Sequence, residues 1–276
     1  MNHISVVSAC GGIYGTYLAG ILRELSYVMD EHGITLDRVH TYSAGAWTFP
    51  YFIAAREDTQ QLGSMEMIWL YKTCGAQLFN FKQFLRKHPV LQLSRMRSIL
   101  RRGALQLNME ALFQSDTLFE VVVTDMRTGN PIYFSPNKRQ LFRALTASAA
   151  IPFLSAPVKI AGTFGIDGGI ADPMPIQRAL DLGSKKIVVI MNEGDGIWDR
   201  VCSLISKYSL KNYHERTQVI ADKFKSDERV FFICNANSLP LQSFVDTDAT
   251  RIFQTYEQAK KDFYLLRQQF VDWVRA

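Results

Sequence analysis

Apolar positions in this chain gather into short β-branched runs and longer helical stripes that alternate almost to its end. Residues 3–9, His-Ile-Ser-Val-Val-Ser-Ala, predict a short buried strand because β-branched side chains dominate them. Leu18, Ile21, Leu22, Leu25 and Val28 then recur at helical spacing, which predicts a helix over residues 16–29, with Gly33 as its stop. A second strand is expected over 38–42, and after it an apolar helix over 44–56 that Pro50 should strain or kink. Phe-Glu-Val-Val-Val-Thr-Asp at 119–125 predicts a strand, with a turn at Thr128-Gly129-Asn130 into another at 131–134. Short helices over 141–148 and 177–182, and strands over 185–191 and 230–234, continue the alternation. Near the C-terminus Ile252, Tyr256, Ala259, Phe263, Leu266, Phe270 and Trp273 share one helix face, which predicts a helix within 248–276 docked on the core. Residues 60–115 break the pattern. They read as mostly helical and irregular, interrupted by Pro89 and Gly103, and so as a cap or insertion over that core. Strands alternating with helices predict an α/β fold with a mostly parallel central sheet.

Composition adds limits. The chain has 276 residues, 47% of them hydrophobic, and no linker-like, repeated or low-complexity tract divides it, so one domain over 1–276 is expected. Cys10, Cys74, Cys202 and Cys234 form no CxxC pair and have no histidines at ligand spacing, which argues for reduced thiols rather than a disulfide framework or zinc site. The N-terminus lacks the basic start and unbroken apolar core of a signal peptide, and no run of about 18 apolar residues occurs. A cytoplasmic chain is expected, peripheral to a membrane at most.

The net charge of +5 is unevenly spread. No acidic residue lies between Glu66 and Glu110, while Lys72, Lys82, Arg86, Lys87, Arg95, Arg97, Arg101 and Arg102 contribute eight positive charges. Two readings fit: a surface with an anionic partner, here an anionic lipid surface, or a solvated basic face. Nucleic acid is not expected, since no nucleic-acid module is recognisable and the basic stretch has few aromatic residues.

Three stretches could carry chemistry, each where a strand should end. Thr41-Tyr42-Ser43-Ala44-Gly45 offers a serine with small neighbours, readable as a nucleophile on a sharp strand-to-helix turn or as an ordinary helix N-cap. Cys10-Gly11-Gly12-Ile13-Tyr14-Gly15 lacks the spacing of a dinucleotide fingerprint. It reads as a tight turn, or as a nest of backbone N–H groups able to hold an oxyanion. Asp167-Gly168-Gly169 is turn-like, and the connector Ile170-Ala171-Asp172-Pro173-Met174-Pro175-Ile176 would fix its carboxylate in place.

These stretches occur in the order seen in patatin-like phospholipases of the bacterial type, and the chain resembles that family from residue 4 to about 191. Residues 121–134, 145–158 and 182–191 also fit its pattern. The resemblance implies a patatin-like three-layer α/β/α sandwich and a serine lipid acyl hydrolase without cofactor or metal, acting on a phospholipid or other acyl lipid. It implies Ser43 as nucleophile, Asp167 as its base with no histidine, and Gly11, Gly12 and Ile13 as the oxyanion hole. Gly15, Gly45, Gly168 and Gly169 would support the turns. His40, nearest to Ser43, should face the other side of the sheet. Two stretches depart from the family. Cys10 and Tyr14 replace a third glycine and an Arg or Lys, and Thr41 stands where the elbow begins with glycine, a position where its side chain should crowd the turn. The alternatives are a catalytically lapsed lipid- or protein-binding module, and a Ser–His–Asp hydrolase using His214.

Overall fold

The computed structural model describes residues 2–192 and 213–276. β1 (His3–Ala9) leads through a 3-10 turn into α1 (Gly15–His32), which ends where Gly33 takes the left-handed conformation (φ 61°) and its N–H donates to Met29 O. β2 (Thr35–Thr41) begins three residues before its apolar pattern suggests, because pairing with β1 starts at His3↔Thr35. α2 (Ser43–Ala54) is buried on every side. It runs through Pro50, which offers no N–H to the carbonyl four residues back.

A helix buried all round needs cover on both faces. Residues 60–115 provide it on one, through α3 (Gln60–Met67), a π-helical turn (Ile68–Lys72), 3-10 turns, α4 (Leu93–Arg101) and α5 (Met109–Gln114). Trp69 pins this layer to α2: its indole N–H donates to Thr48 Oγ1 at 3.0 Å, and Thr48 donates in turn to Ala44 O at 2.8 Å.

The chain then forms β3 (Leu118–Asp125), β4 (Pro131–Phe134), α6 (Leu141–Ser148), β5 (Val158–Ile160) and β6 (Thr163–Asp167). α7 (Ile176–Asp181), β7 (Ile187–Met191), α8 (Tyr213–Phe224), β8 (Val230–Ile233) and α9 (Ala249–Arg275) complete it. The sheet order is β5-β6-β3-β2-β1-β7-β8, with β4 also paired to β3. Pairing is parallel from β3 through β2, β1 and β7 to β8, and antiparallel at the β3–β4, β3–β6 and β5–β6 contacts.

Alternation along β1 divides the core. Ile4 and Val6 join a large apolar cluster with α1, α2, α6 and α9, while Val7 and Ala9 face a smaller one with α7 and α8. The architecture is a three-layer α/β/α sandwich around a mostly parallel sheet. α9 lies close along α1, where a side chain at Gly20 would overlap Ala259, and Tyr17 donates to Asp262 at 3.2 Å. Cys202 lies outside the described residues; among the described residues Cys10, Cys74 and Cys234 form no disulfide.

Candidate active site

Tyr42 leaves β2 extended (φ −149°, ψ 172°) and holds the N-cap position of α2 with no side-chain cap bond. Ser43 follows at φ 48°, a left-handed conformation uncommon for a side-chain-bearing residue and costing on the order of 1–3 kcal/mol. The chain reverses direction here between strand and helix, which sets Ser43 at the N-terminal, electropositive end of α2. Its backbone N–H donates to Ser148 Oγ (3.1 Å), and the Ser148 hydroxyl donates to Val122 O (2.7 Å). Ser148, fully buried at the end of α6, therefore ties the turn to β3.

Thr41 does not crowd this turn. A Cβ at position 45 would overlap Thr41 Oγ1 and Ser8 Oγ; glycine leaves that space open, and the two hydroxyls fill it with a 2.6 Å hydrogen bond. Thr41→Gly is therefore expected to destabilise the fold by about 1–3 kcal/mol, since it leaves a buried hydroxyl unpaired and loosens the strand end. Urea unfolding of the variant reads this directly.

Asp167 closes β6. Its N–H donates to Ala150 O (3.0 Å), and Thr124 Oγ1 donates to its carbonyl (2.7 Å) while accepting from Ala171 N–H (3.1 Å). A side chain at Gly168 would overlap the Val122 carbonyl, and one at Gly169 would enter the Tyr42 ring, so this turn packs against the residue that precedes Ser43. Carboxylate Oδ1 accepts from Gly169 N–H at 2.9 Å. Oδ2 is buried with no hydrogen-bond partner among the described residues. Burial pushes the carboxyl up to about 6, against the opposing pull of the nearby Ser43 hydroxyl and the Gly169 N–H.

The glycine stretch lies between β1 and α1. Gly12, at φ 57°, presses so closely on the Phe244 carbonyl and ring that no side chain fits there, and the Trp69 indole occupies the space a side chain at Gly15 would need. Ile13 N–H donates to Phe244 O at 2.8 Å, and Tyr14 N–H to Gly11 O at 3.2 Å. The Cys10 thiol is buried and directed at Ile190 O, and burial pushes it far above the usual thiol range, which makes it unreactive.

A cavity of about 30 Å³ lies over Ser43, room for a water or two. Gly12, Ala44, Trp47 and Ile151 line it from the core, and Trp69, Phe79, Leu91 and Met96 roof it from the 60–115 layer. Ser43 is the polar side chain in this apolar lining, and among the described residues no histidine reaches it.

His40 points the other way. Its Nδ1 pairs with Glu120 at 3.0 Å, and Arg178 of α7 grips the same carboxylate through two bonds of 2.9 and 2.8 Å. Burial works against the charge on Glu120, but Arg178 and His40 outweigh it and hold the carboxyl down at about 2. The side chain of His214 lies outside the described residues. Among the described residues no group of three or more His, Cys, Asp or Glu side chains could hold a metal ion, and no helix is long and apolar enough to cross a membrane.

Nothing in the sequence alone singles out Ser148 or Phe244. Ser148 sits in a small-residue run, Ala-Ser-Ala-Ala, that looks like helix-end filler, and Phe244 follows a loop with no periodicity.

Residues 6–180 match the sequence profile of the family described as Patatin-like phospholipase. The uncharacterized protein YjjU of Escherichia coli is 30% identical over 192 residues, 68% of this chain and 52% of YjjU, so the match spans about half of that relative's length. Among solved structures, human GIVD cytosolic phospholipase A2, in complex with methyl gamma-linolenyl fluorophosphonate and terbium chloride, aligns with 99% of this chain and 59% of its own. Its TM-score is 0.54 at 10% identity, a likeness of fold. VipD of Legionella pneumophila aligns over 95% of this chain and 66% of its own, at 16% identity and a TM-score of 0.47.

Proposed function

From membership of the patatin-like phospholipase family, to which this chain belongs, we propose that it is a serine lipid acyl hydrolase of the phospholipase A or lysophospholipase type. The observation that carries the reading is the buried carboxylate of Asp167, its charged form favoured by the hydroxyl of a serine held at φ 48° on a strand-to-helix turn. Ser43 Oγ attacks the acyl carbonyl carbon and Asp167 takes its proton. The tetrahedral intermediate collapses, the ester C–O bond breaks, and the leaving alkoxide receives that proton. Water then attacks the acyl-serine, gives a proton to Asp167, and the fatty acid leaves as Ser43 is reprotonated. Backbone N–H groups of Gly11 and Gly12 hold the oxyanion; Ile13 N–H joins them when the Phe244 carbonyl withdraws. The step uses no metal or organic cofactor. The basic stretch over 72–102 faces an anionic lipid surface, where each cation contributes on the order of 1 kcal/mol.

One observation favours a second reading, a patatin-fold lipid- or protein-binding module that no longer turns over. Phe244 O occupies the Ile13 N–H, and losing one oxyanion donor typically costs a factor of about 10²–10³. A serine-reactive fluorophosphonate probe separates the two. Covalent labelling of the native protein, absent in Ser43→Ala, supports the hydrolase, and no labelling supports the binding module. A lipid panel hydrolysed by the native protein then identifies head group and acyl position.

A further inference from the structure

The roof of the cavity over Ser43 ends in an exposed tip. Residues 78–80 and 90–92 run antiparallel, held by the Phe79↔Leu91 bridge, Asn80 N–H to Val90 O and Gln92 N–H to Leu78 O, both 2.8 Å. Between these arms the chain makes a 3-10 helix, Phe81–Arg86. Phe81, Phe84 and Leu85 on it are 54%, 71% and 86% exposed. In a 3-10 helix residues three apart eclipse, so Phe81 and Phe84 stand one above the other. Phe153 is 68% exposed on the adjoining loop, which Leu91 N–H joins to the arms through Leu154 O at 2.9 Å. Large apolar side chains concentrated so on a protein surface mark an interaction site.

The charges around them select the partner. Lys82, Arg86 and Lys87 are exposed on the same tip, and none of them forms an ion pair with a described residue. The absence of Asp and Glu from Glu66 to Glu110 leaves nothing nearby in the chain to neutralise them. Aromatic and aliphatic groups flanked by Lys and Arg whose stems can lie along apolar surface suit the boundary between lipid headgroups and acyl chains.

We propose that the tip at 81–87 is the protein's docking element for an anionic lipid bilayer: Phe81, Phe84 and Leu85 enter the headgroup–acyl boundary while Lys82, Arg86 and Lys87 meet the phosphates. Docking also acts on the cavity, because both arms of the hairpin line it through Phe79 and Leu91. A tip drawn into the bilayer lifts those side chains from Ser43 and admits an acyl chain that a cavity of about 30 Å³ excludes. This second consequence rests on the lipid-hydrolase reading; docking itself does not.

The test uses Phe84→Asp with Leu85→Asp, two positions exposed enough to leave the fold intact. In a Ser43→Ala background, co-sedimentation with vesicles of equal parts phosphatidylcholine and phosphatidylglycerol is expected to weaken about tenfold or more on adding the two substitutions. Lys82→Gln with Arg86→Gln and Lys87→Gln should lower binding to those vesicles and leave binding to pure phosphatidylcholine unchanged. With Ser43 intact, the double Asp variant should hydrolyse a soluble short-chain ester within about twofold of the native rate and lose about tenfold or more on vesicle phospholipid. Vesicle binding equal to that of the parent protein would overturn the proposal, and so would equal losses on soluble ester and vesicles. If the native protein hydrolyses neither substrate, the hydrolase reading fails, while the sedimentation arm still decides the docking.

Discussion

Ser43→Ala is expected to lower ester turnover by on the order of 10³-fold or more, with the unfolding midpoint close to native. Asp167→Asn should fall by a similar factor, since an amide cannot take the serine proton but keeps an acceptor for Gly169 N–H. The two groups act on the same proton, so the double variant should be little worse than either single one. Single-turnover hydrolysis of a chromogenic acyl ester, with circular dichroism as the folding control, measures all three. Near-native turnover in Asp167→Asn would remove the carboxylate from the mechanism. Loss of turnover in His214→Ala with Asp167→Asn unaffected would establish the histidine alternative.

The second large effect is on pH. Burial pushes the Asp167 carboxyl up to about 6 in the folded protein, against 3.8 ordinarily. The base form is the ionised one, so kcat/KM should fall about tenfold per pH unit below about 6 and level off above it. The sign for stability is opposite. The folded state binds this proton more tightly than the unfolded state, so stability from this group is full below the unfolded value and declines as pH rises toward about 6. Above that the buried charge costs on the order of 3 kcal/mol. Asp167→Asn should therefore raise stability at pH 8 relative to its effect at pH 4 by about that amount. Comparing the two pH values isolates the charge, because the amide's other effects are the same at both. A substitution that removes function while adding stability is expected where a site is held in a strained or desolvated state.

Much of this arrangement was legible in local pattern. β1, α1, α6 and α9 follow from β-branched runs and helical periods, because burial of one face dictates them residue by residue. The β5–β6 hairpin that delivers Asp167 was not. Its two-residue turn is Ala161-Gly162, with φ of 49° and 81°, and alanine in a left-handed position gives none of the usual Asn-Gly or Asp-Gly signal. The glycines of the candidate site were visible as glycines, but the reason for each lies far off in the chain: Phe244 against Gly12, Val122 against Gly168. Thr41 reads as an obstruction until Ser8 is placed beside it. Ser148 illustrates the same limit, since its task is to accept a hydrogen bond from a residue 105 positions away.

The position of β1 in the sheet has a consequence for how the chain comes to be folded. Its neighbours are β2, which follows directly after α1, and β7, which begins at Ile187. The helix that covers α1 is the last in the chain, beginning at Ala249. On a ribosome adding about 5–20 residues/s, the first strand made waits on the order of 10–40 s for its second partner. Through that interval an apolar edge and a helix face stand open to any other chain or chaperone within reach. The family match stops at residue 180, before either partner has been made, so the matched segment alone should not fold.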